Sequence, residues 1–170
     1  SGAIAAPTAG LHFTKTHLKK LRANNIDMAY LTLHVGSGTF KPIRTEDFSK
    51  HEMEAEIFRI TPKNWNLITE SKKKGQPILA VGTTSTRALE AQVFKKPIRK
   101  TRSGSTNCFI IPGWNFRNVD HLITNFHLPK STLYLLVSAF CGKALAKKAY
   151  NEAISRKYRF YSYGDAMLLL

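Results

Sequence analysis

Asn125, His127, Lys130, Ser131 and Thr132 crowd the stretch LITNFHLPKSTL, residues 122–133, at the hinge between two apolar runs. An amide, an imidazole, an ammonium and two hydroxyls can together orient a small polar ligand and move a proton. Part of the set has a simpler use: Pro129 halts a strand, Ser131 or Thr132 caps the following helix, and Lys130 lies near that helix's positive end. Capping leaves Asn125 and His127 unexplained. Two further turns share this composition, Gly36 to Thr39 and Gly82 to Arg87. In VGTTSTRALE, Thr83, Thr84, Ser85 and Thr86 stand where a helix begins. Their hydroxyls serve either as caps, with Arg87 solvated, or as hydrogen bonds to a ligand carboxylate or ribose. Neither G-x-x-x-x-G-K-[ST] nor G-x-G-x-x-G occurs, so a P-loop or dinucleotide fingerprint is unsupported.

A fourth candidate is HEMEAE, residues 51–56. Period two places Glu52, Glu54 and Glu56 on one strand face, where like charges repel. Such crowding can raise one carboxylate's pKa for base chemistry, although glutamates on an exposed strand edge also serve solubility. A metal held by His51 with Glu52 to Glu56 is the weaker reading, because no second histidine cluster completes a site.

The elements that must position these residues can be read from periodicity. Thr14, Leu18 and Leu21 predict a short amphipathic helix from about Thr14 to Ala23, presenting Lys15, Lys19, Lys20 and Arg22 outward. DMAYLTLHV alternates as a strand, with Leu31, Leu33 and Val35 on one side and Thr32 and His34 on the other. HEMEAEIFRI reads as a strand, and Thr61, Pro62 and Gly75 bound a helix. PILAV is a short buried strand leading into the helix of VGTTSTRALE. NCFIIPGWNF and NVDHLITNF read as two more strands, and residues 131–154 as a long helix that Gly142 can break. YRFYSYGD is expected to close the sheet, and the alternation of strands with helices gives an α/β class, a mixed sheet with flanking helices.

The totals bound the rest. A chain of 170 residues suits one domain and buries about 70% of its unfolded surface without covalent staples. Its 26 Lys and Arg against 11 Asp and Glu leave a formal charge of +15, which favours polyanionic partners such as RNA, DNA or an acidic membrane surface. From Ala91 to Val119 there is no acid, while Lys95, Lys96, Arg99, Lys100 and Arg102 crowd a loop. Cys108 and Cys141 lie far apart beside apolar residues, as reduced buried thiols do. No apolar run is long enough to span a bilayer and no signal segment opens the chain, so a cytoplasmic location is expected. The chain starts at Ser1 without methionine, as a fragment or processed product would.

Five blocks in order, APTAGLHFT (6–14), TLHVGSGTF (32–40), VGTTSTRALE (81–90), LITNFHLPKSTL (122–133) followed by LVSAF, and YRFYSYGDAM, closely resemble the S-adenosylmethionine:tRNA ribosyltransferase-isomerase family of queuosine biosynthesis. The resemblance covers essentially the whole chain and implies transfer and isomerisation of the ribosyl part of S-adenosylmethionine onto 7-aminomethyl-7-deazaguanine in a tRNA anticodon, giving epoxyqueuosine, adenine and methionine. It implies S-adenosylmethionine as co-substrate, no metal, tRNA as partner and a monomer. It further implies that residues 1–170 are a single α/β domain, the C-terminal part of a larger barrel-like catalytic domain, without the family's N-terminal part and inserted β-barrel. One position departs from the pattern: where the family usually reads H-x-M-H-x-E, this chain has Glu54 in place of the second histidine.

Given that substrate, the matching blocks nominate Glu56 or His51 as the base that removes a C5′ proton beside the sulfonium, and His34 or His127 as the group handling adenine or the sugar hydroxyls. Thr83, Thr84, Ser85 and Arg87 are nominated for the methionine or ribose end, Lys130, Ser131 and Thr132 for the opposite side, and Phe126 either for stacking on adenine or for core packing. The tRNA backbone is expected over Lys95, Lys96, Arg99, Lys100 and Arg102. Rival readings are a non-catalytic basic RNA-binding module and an unrelated transferase acting on a phosphorylated small molecule.

Overall fold

A computed structural model describes residues 6–36 and 53–170. A five-residue 3-10 helix, Thr8–His12, precedes α1, Lys15–Ala23. Thr14 caps α1 reciprocally with His17, and no residue of that helix is fully buried, so its basic side chains stay in water. Strands β1 (Leu31–His34) and β2 (Glu56–Ile60) follow, then α2 (Pro62–Lys73), capped by Thr61 as its sequence predicts. Strand β3 (Leu79–Val81) feeds α3 (Thr83–Glu90), and β4 (Arg102–Thr106) and β5 (His121–Asn125) come next. Helices α4 (Thr132–Cys141) and α5 (Lys143–Ser155) are separated at Gly142, and β6 (Ala166–Leu169) ends the order.

The mixed α/β class holds, but the strands divide into two three-stranded sheets. One is wholly antiparallel, in the order β1-β2-β4, with Leu31 opposite Ile60 and Glu56 opposite Thr106. The other is mixed, in the order β3-β5-β6, with β3 parallel to β5 and β6 antiparallel to it. One core joins them: Phe58 and Ile60 from β2, Trp65 and Ile68 from α2, Ala88 and Leu89 from α3, Leu122 from β5 and Leu136 from α4. Ile60 and Leu122 are wholly excluded from solvent. A second cluster packs Phe126 with Val137, Ala146, Tyr150 and Ala153 under α4 and α5.

Four sequence expectations are corrected. NCFIIPGWNF forms no strand, because its backbone groups bond to side chains and a turn: Cys108 N donates to Thr106 Oγ1 at 3.1 Å, Cys108 O accepts from Arg87 Nε at 2.8 Å, and Trp114 N turns back on Ile111 O at 3.0 Å. Just beyond it, the buried Glu90 carboxylate accepts from the backbone N–H groups of Arg117, Asn118 and Val119 at 2.8–2.9 Å. YRFYSYGD is a turn, and the sheet is closed by the AMLL that follows it. In HEMEAE the strand begins only at Glu56, with Glu54 exposed and Glu56 buried, so these two do not share a charged face. The basic stretch, read as loop throughout, contains β4.

Candidate functional site

Strands β3 and β5 run parallel, so the turns after them, into α3 and toward α4, emerge on one edge of the sheet. Between them lies a cleft lined by Thr8 and Ala9 of the 3-10 helix, Val35 just past β1, residues 81–85, Thr124, Asn125 and His127 of the β5 end, and Leu133. Segments after β1, β3 and β5 thus meet at one place. Its enclosed volume is about 40 Å³, far below the ~300 Å³ that a drug-sized ligand occupies, so the cleft by itself does not enclose such a ligand.

The α3 side of this wall is set by a glycine. Gly82 has φ +93°, a conformation that costs an L side chain dearly, and its N–H donates to Ile123 O at 2.8 Å, tying the turn to β5. As N-cap it brings no side chain, and the first turn of α3 contains no acid. The leading N–H groups of a helix have no partner inside it and carry a partial positive charge, so this turn offers hydrogen-bond donors to an anion. Thr84 and Ser85 are half-buried beside them, and Thr86 turns back on Gly82 O at 3.1 Å.

The opposite side is built on Asn125, which is 2% exposed. Its amide oxygen accepts from Thr8 Oγ1 at 3.2 Å, its Nδ2 donates to Tyr161 O at 3.1 Å and Gly164 O at 3.2 Å, and His12 Nε2 lies 3.2 Å from that nitrogen. Two backbone carbonyls fix which end of the amide is NH2, and they take both of its protons. His127 lies next along the chain. Its Nε2 is 2.9 Å from Thr124 Oγ1, and its N–H donates to the Tyr150 hydroxyl at 3.1 Å. Burial pushes the His127 pKa down to about 4, so at neutral pH this imidazole is uncharged, a hydrogen-bonding group and a weak base.

Several nominated residues lie elsewhere. Glu56 and Arg87 form a buried ion pair, Arg87 Nη1 to Glu56 Oε2 at 2.9 Å with both side chains 2% exposed, and Arg87 Nε donates to Cys108 O at 2.8 Å. Burial lowers the guanidinium's pKa and the Glu56 charge opposes that, so the pair fastens β2 to α3 and neither partner lines the cleft. Phe126 is core, packed against Tyr150, Tyr158 and Phe160 at ring distances of 5.3–5.8 Å. Ser131 is consumed as a cap: its Oγ accepts from Tyr134 N at 3.1 Å and donates to Leu128 O at 2.7 Å. Thr132 is buried in the first turn of α4, and Lys130 is exposed with φ +59°. His34 is exposed at the end of β1, one residue before the cleft. His51 and the turn residues 37–39 lie outside the described residues.

Lys95, Lys96, Arg99, Lys100 and Arg102 are all exposed on a stretch that α2 clamps, through Trp65 Nε1 to Lys96 O at 2.9 Å and an Asn66 side chain bonded to Ile98 N and O. Arg102 lies 5.9 Å from the Trp65 ring centre. Burial raises the Cys108 pKa to about 11, so this thiol is unreactive. No helix among the described residues is long and apolar enough to cross a membrane. Thr8 and His12 were not nominated, although APTAGLHFT contains both; nothing in that block's spacing points to Asn125, 113 positions from His12.

Residues 1–169 match the family model described as queuosine biosynthesis protein. The chain is 55% identical over 169 residues to an S-adenosylmethionine:tRNA ribosyltransferase-isomerase of Halothermothrix orenii, covering 99% of this chain and 50% of that protein. A Polynucleobacter asymbioticus protein of the same name is also 55% identical, over 99% of this chain and 47% of its own length. A crystal structure of S-adenosylmethionine tRNA ribosyltransferase from Thermotoga maritima superposes with a TM-score of 0.77 at 40% identity, covering 96% of this chain and 51% of that one. The chain therefore spans about half the length of the curated relatives it matches.

Proposed function

The chain belongs to the queuosine biosynthesis protein family, and from that premise we propose that it supplies one wall of the S-adenosylmethionine site of a tRNA ribosyltransferase-isomerase, the rest coming from protein outside this chain. The observation that carries the reading is the meeting of the uncapped α3 N-terminus with Asn125 and His127 across one small cleft. The α3 amides suit the carboxylate of the methionine moiety, and the Thr84 and Ser85 hydroxyls suit that carboxylate or the ribose. A neutral His127 can hydrogen-bond the adenine or the sugar hydroxyls without repelling the sulfonium.

The reaction begins with loss of a C5′ proton beside the positive sulfur to give an ylide. The ylide's electron pair moves into a C4′–C5′ double bond as the C4′–O4′ bond breaks, O4′ becomes the carbonyl oxygen on C1′, and adenine departs with the glycosidic electron pair and gains a proton. The aminomethyl nitrogen of the target base adds to C4′ and loses its proton, which returns the electron pair to C5′. That carbon bonds to C1′, and the oxygen on C1′ then closes the epoxide at C5′ as the carbon–sulfur bond breaks and methionine leaves. Glu56 is engaged with Arg87 and His127 is too weak a base, so the first proton is assigned to an imidazole, His34 or His51. The product is epoxyqueuosine in a tRNA anticodon. The RNA backbone lies on Lys95, Lys96, Arg99, Lys100 and Arg102, whose rigid support favours a fixed docking position.

The test is adenine release from S-adenosylmethionine by the full-length protein. Release should require an anticodon stem-loop bearing the 7-aminomethyl-7-deazaguanine base, and Thr84→Ala should lower kcat/KM for S-adenosylmethionine about tenfold, the effect of losing one hydrogen bond to a charged group. Stem-loop binding with no S-adenosylmethionine binding would leave only the RNA-binding module.

A further inference from the structure

The turn YRFYSYGD, residues 158–165, carries four aromatic rings, of which Phe160 is half-buried and Tyr158, though it touches Phe126, is 45% exposed. Tyr158 and Phe160 pack on Phe126, at ring distances of 5.8 and 5.3 Å. Tyr161 and Tyr163 face solvent, at 54% and 92% exposure. A single exposed tyrosine is ordinary, but this pair is carried by a turn that is fastened at Arg159, Tyr161, Gly164 and Asp165. Arg159 N and Nη2 both donate to the Asp165 carboxylate, at 2.8 and 3.0 Å, and Asp165 N returns a bond to Arg159 O at 2.8 Å. Gly164 leaves no room for a side chain, since a Cβ there would sit 2.5 Å from Arg159 O. Tyr161 has φ +69°, an expensive conformation for an aromatic residue, and its N–H donates to Phe126 O at 3.0 Å.

The last fastening is the informative one. Asn125, a cleft-lining residue, spends its Nδ2 donors on Tyr161 O and Gly164 O, so the two exposed rings are carried on backbone bonded directly to the wall of the cleft. We propose that Tyr161 and Tyr163, on the turn fastened to Asn125, are a stacking platform for an unpaired base of an RNA loop. This rests on the S-adenosylmethionine-site reading and adds to it the element that holds the target loop in place. Phosphates can be met anywhere on a chain of charge +15, but charge does not orient a base. Recognition of single-stranded loops relies on splayed bases stacked on aromatic side chains, and a constrained turn lowers the backbone freedom lost when two such rings bind.

The experiment uses the full-length protein and a labelled anticodon stem-loop, with stem-loop and S-adenosylmethionine affinities measured separately. Tyr163→Ala should weaken stem-loop binding about tenfold, as loss of a stacked base does, and Tyr163→Phe should stay within about twofold of the parent. The salt dependence of stem-loop binding should keep its slope in Tyr163→Ala, because no phosphate contact is removed. Affinity for S-adenosylmethionine and the melting temperature should not change. Unchanged stem-loop affinity in the Tyr161→Ala/Tyr163→Ala double variant overturns the platform. So does a loss of stem-loop binding that comes with a lower melting temperature and weaker S-adenosylmethionine binding, which would mean that the rings pack against the rest of the protein. A parent protein that binds S-adenosylmethionine but no stem-loop removes the platform and the RNA half of the proposed function, and leaves the cleft assignment standing.

Discussion

Helices α3 and α4 follow neighbouring parallel strands and open in similar hydroxyl-bearing sequence, TTST and ST, yet their first turns are finished differently. At α4 the Ser131 Oγ takes the Tyr134 N–H and gives its own proton to Leu128 O, so the donor and acceptor close on the protein itself. At α3 the cap is Gly82, which has no side chain to offer, and the hydroxyls that follow stand beside amides that the chain leaves to something else. Hydroxyl content therefore does not distinguish an open turn from a self-capped one. The residue at the cap does. The two ends of α3 differ in the same sense: its first turn is open to the cleft, while Arg87 and Glu90 near its other end are buried in contacts that hold β2 and the 117–119 loop.

That contrast can be broken most forcefully at the committed end. Arg87→Met leaves the Glu56 carboxylate buried without its cation and should cost about 3–5 kcal/mol in urea denaturation, much of it regained when Glu56→Leu is added. A loss below ~1 kcal/mol would mean that the pair does not fasten the helix. His127 gives the next effect, through pH. Its folded pKa is about 4 while an unfolded histidine titrates near ~6.5, so the unfolded chain takes up the proton first. The stability this burial permits is whole above pH ~6.5 and declines as pH falls toward about 4. Denaturation at steps across that window should show the decline, and His127→Gln should flatten it.

The smallest changes in stability separate the two caps. Ser131→Ala should cost ~1 kcal/mol, the usual value of a helix cap, and Thr84→Ala less than ~0.5 kcal/mol, because no helix bond depends on it.

Much of the framework was legible from sequence because it rests on local rules. Thr14, Thr61 and Ser131 mark helix starts, Gly142 marks a break, and the alternation of Leu31 to Val35 marks a strand and its inner face. The failures share a cause, which is a partner distant in sequence. Glu90 replaces a strand partner for residues 117–119, Arg87 answers Glu56 across 31 positions, and the Asn125 amide joins His12 to Tyr161. Composition told that Asn125 and His127 needed explaining, but only the fold separates Asn125, which organises the wall, from Phe126 beside it, which is core.

The most direct test of the contrast is calorimetric titration of S-adenosylmethionine into the full-length protein and its Thr84→Ala and Ser131→Ala variants. Binding about tenfold weaker in Thr84→Ala, with Ser131→Ala indistinguishable from the parent, is the predicted result. Equal losses in both, or a loss confined to Ser131→Ala, would contradict the assignment of the open α3 turn to the ligand.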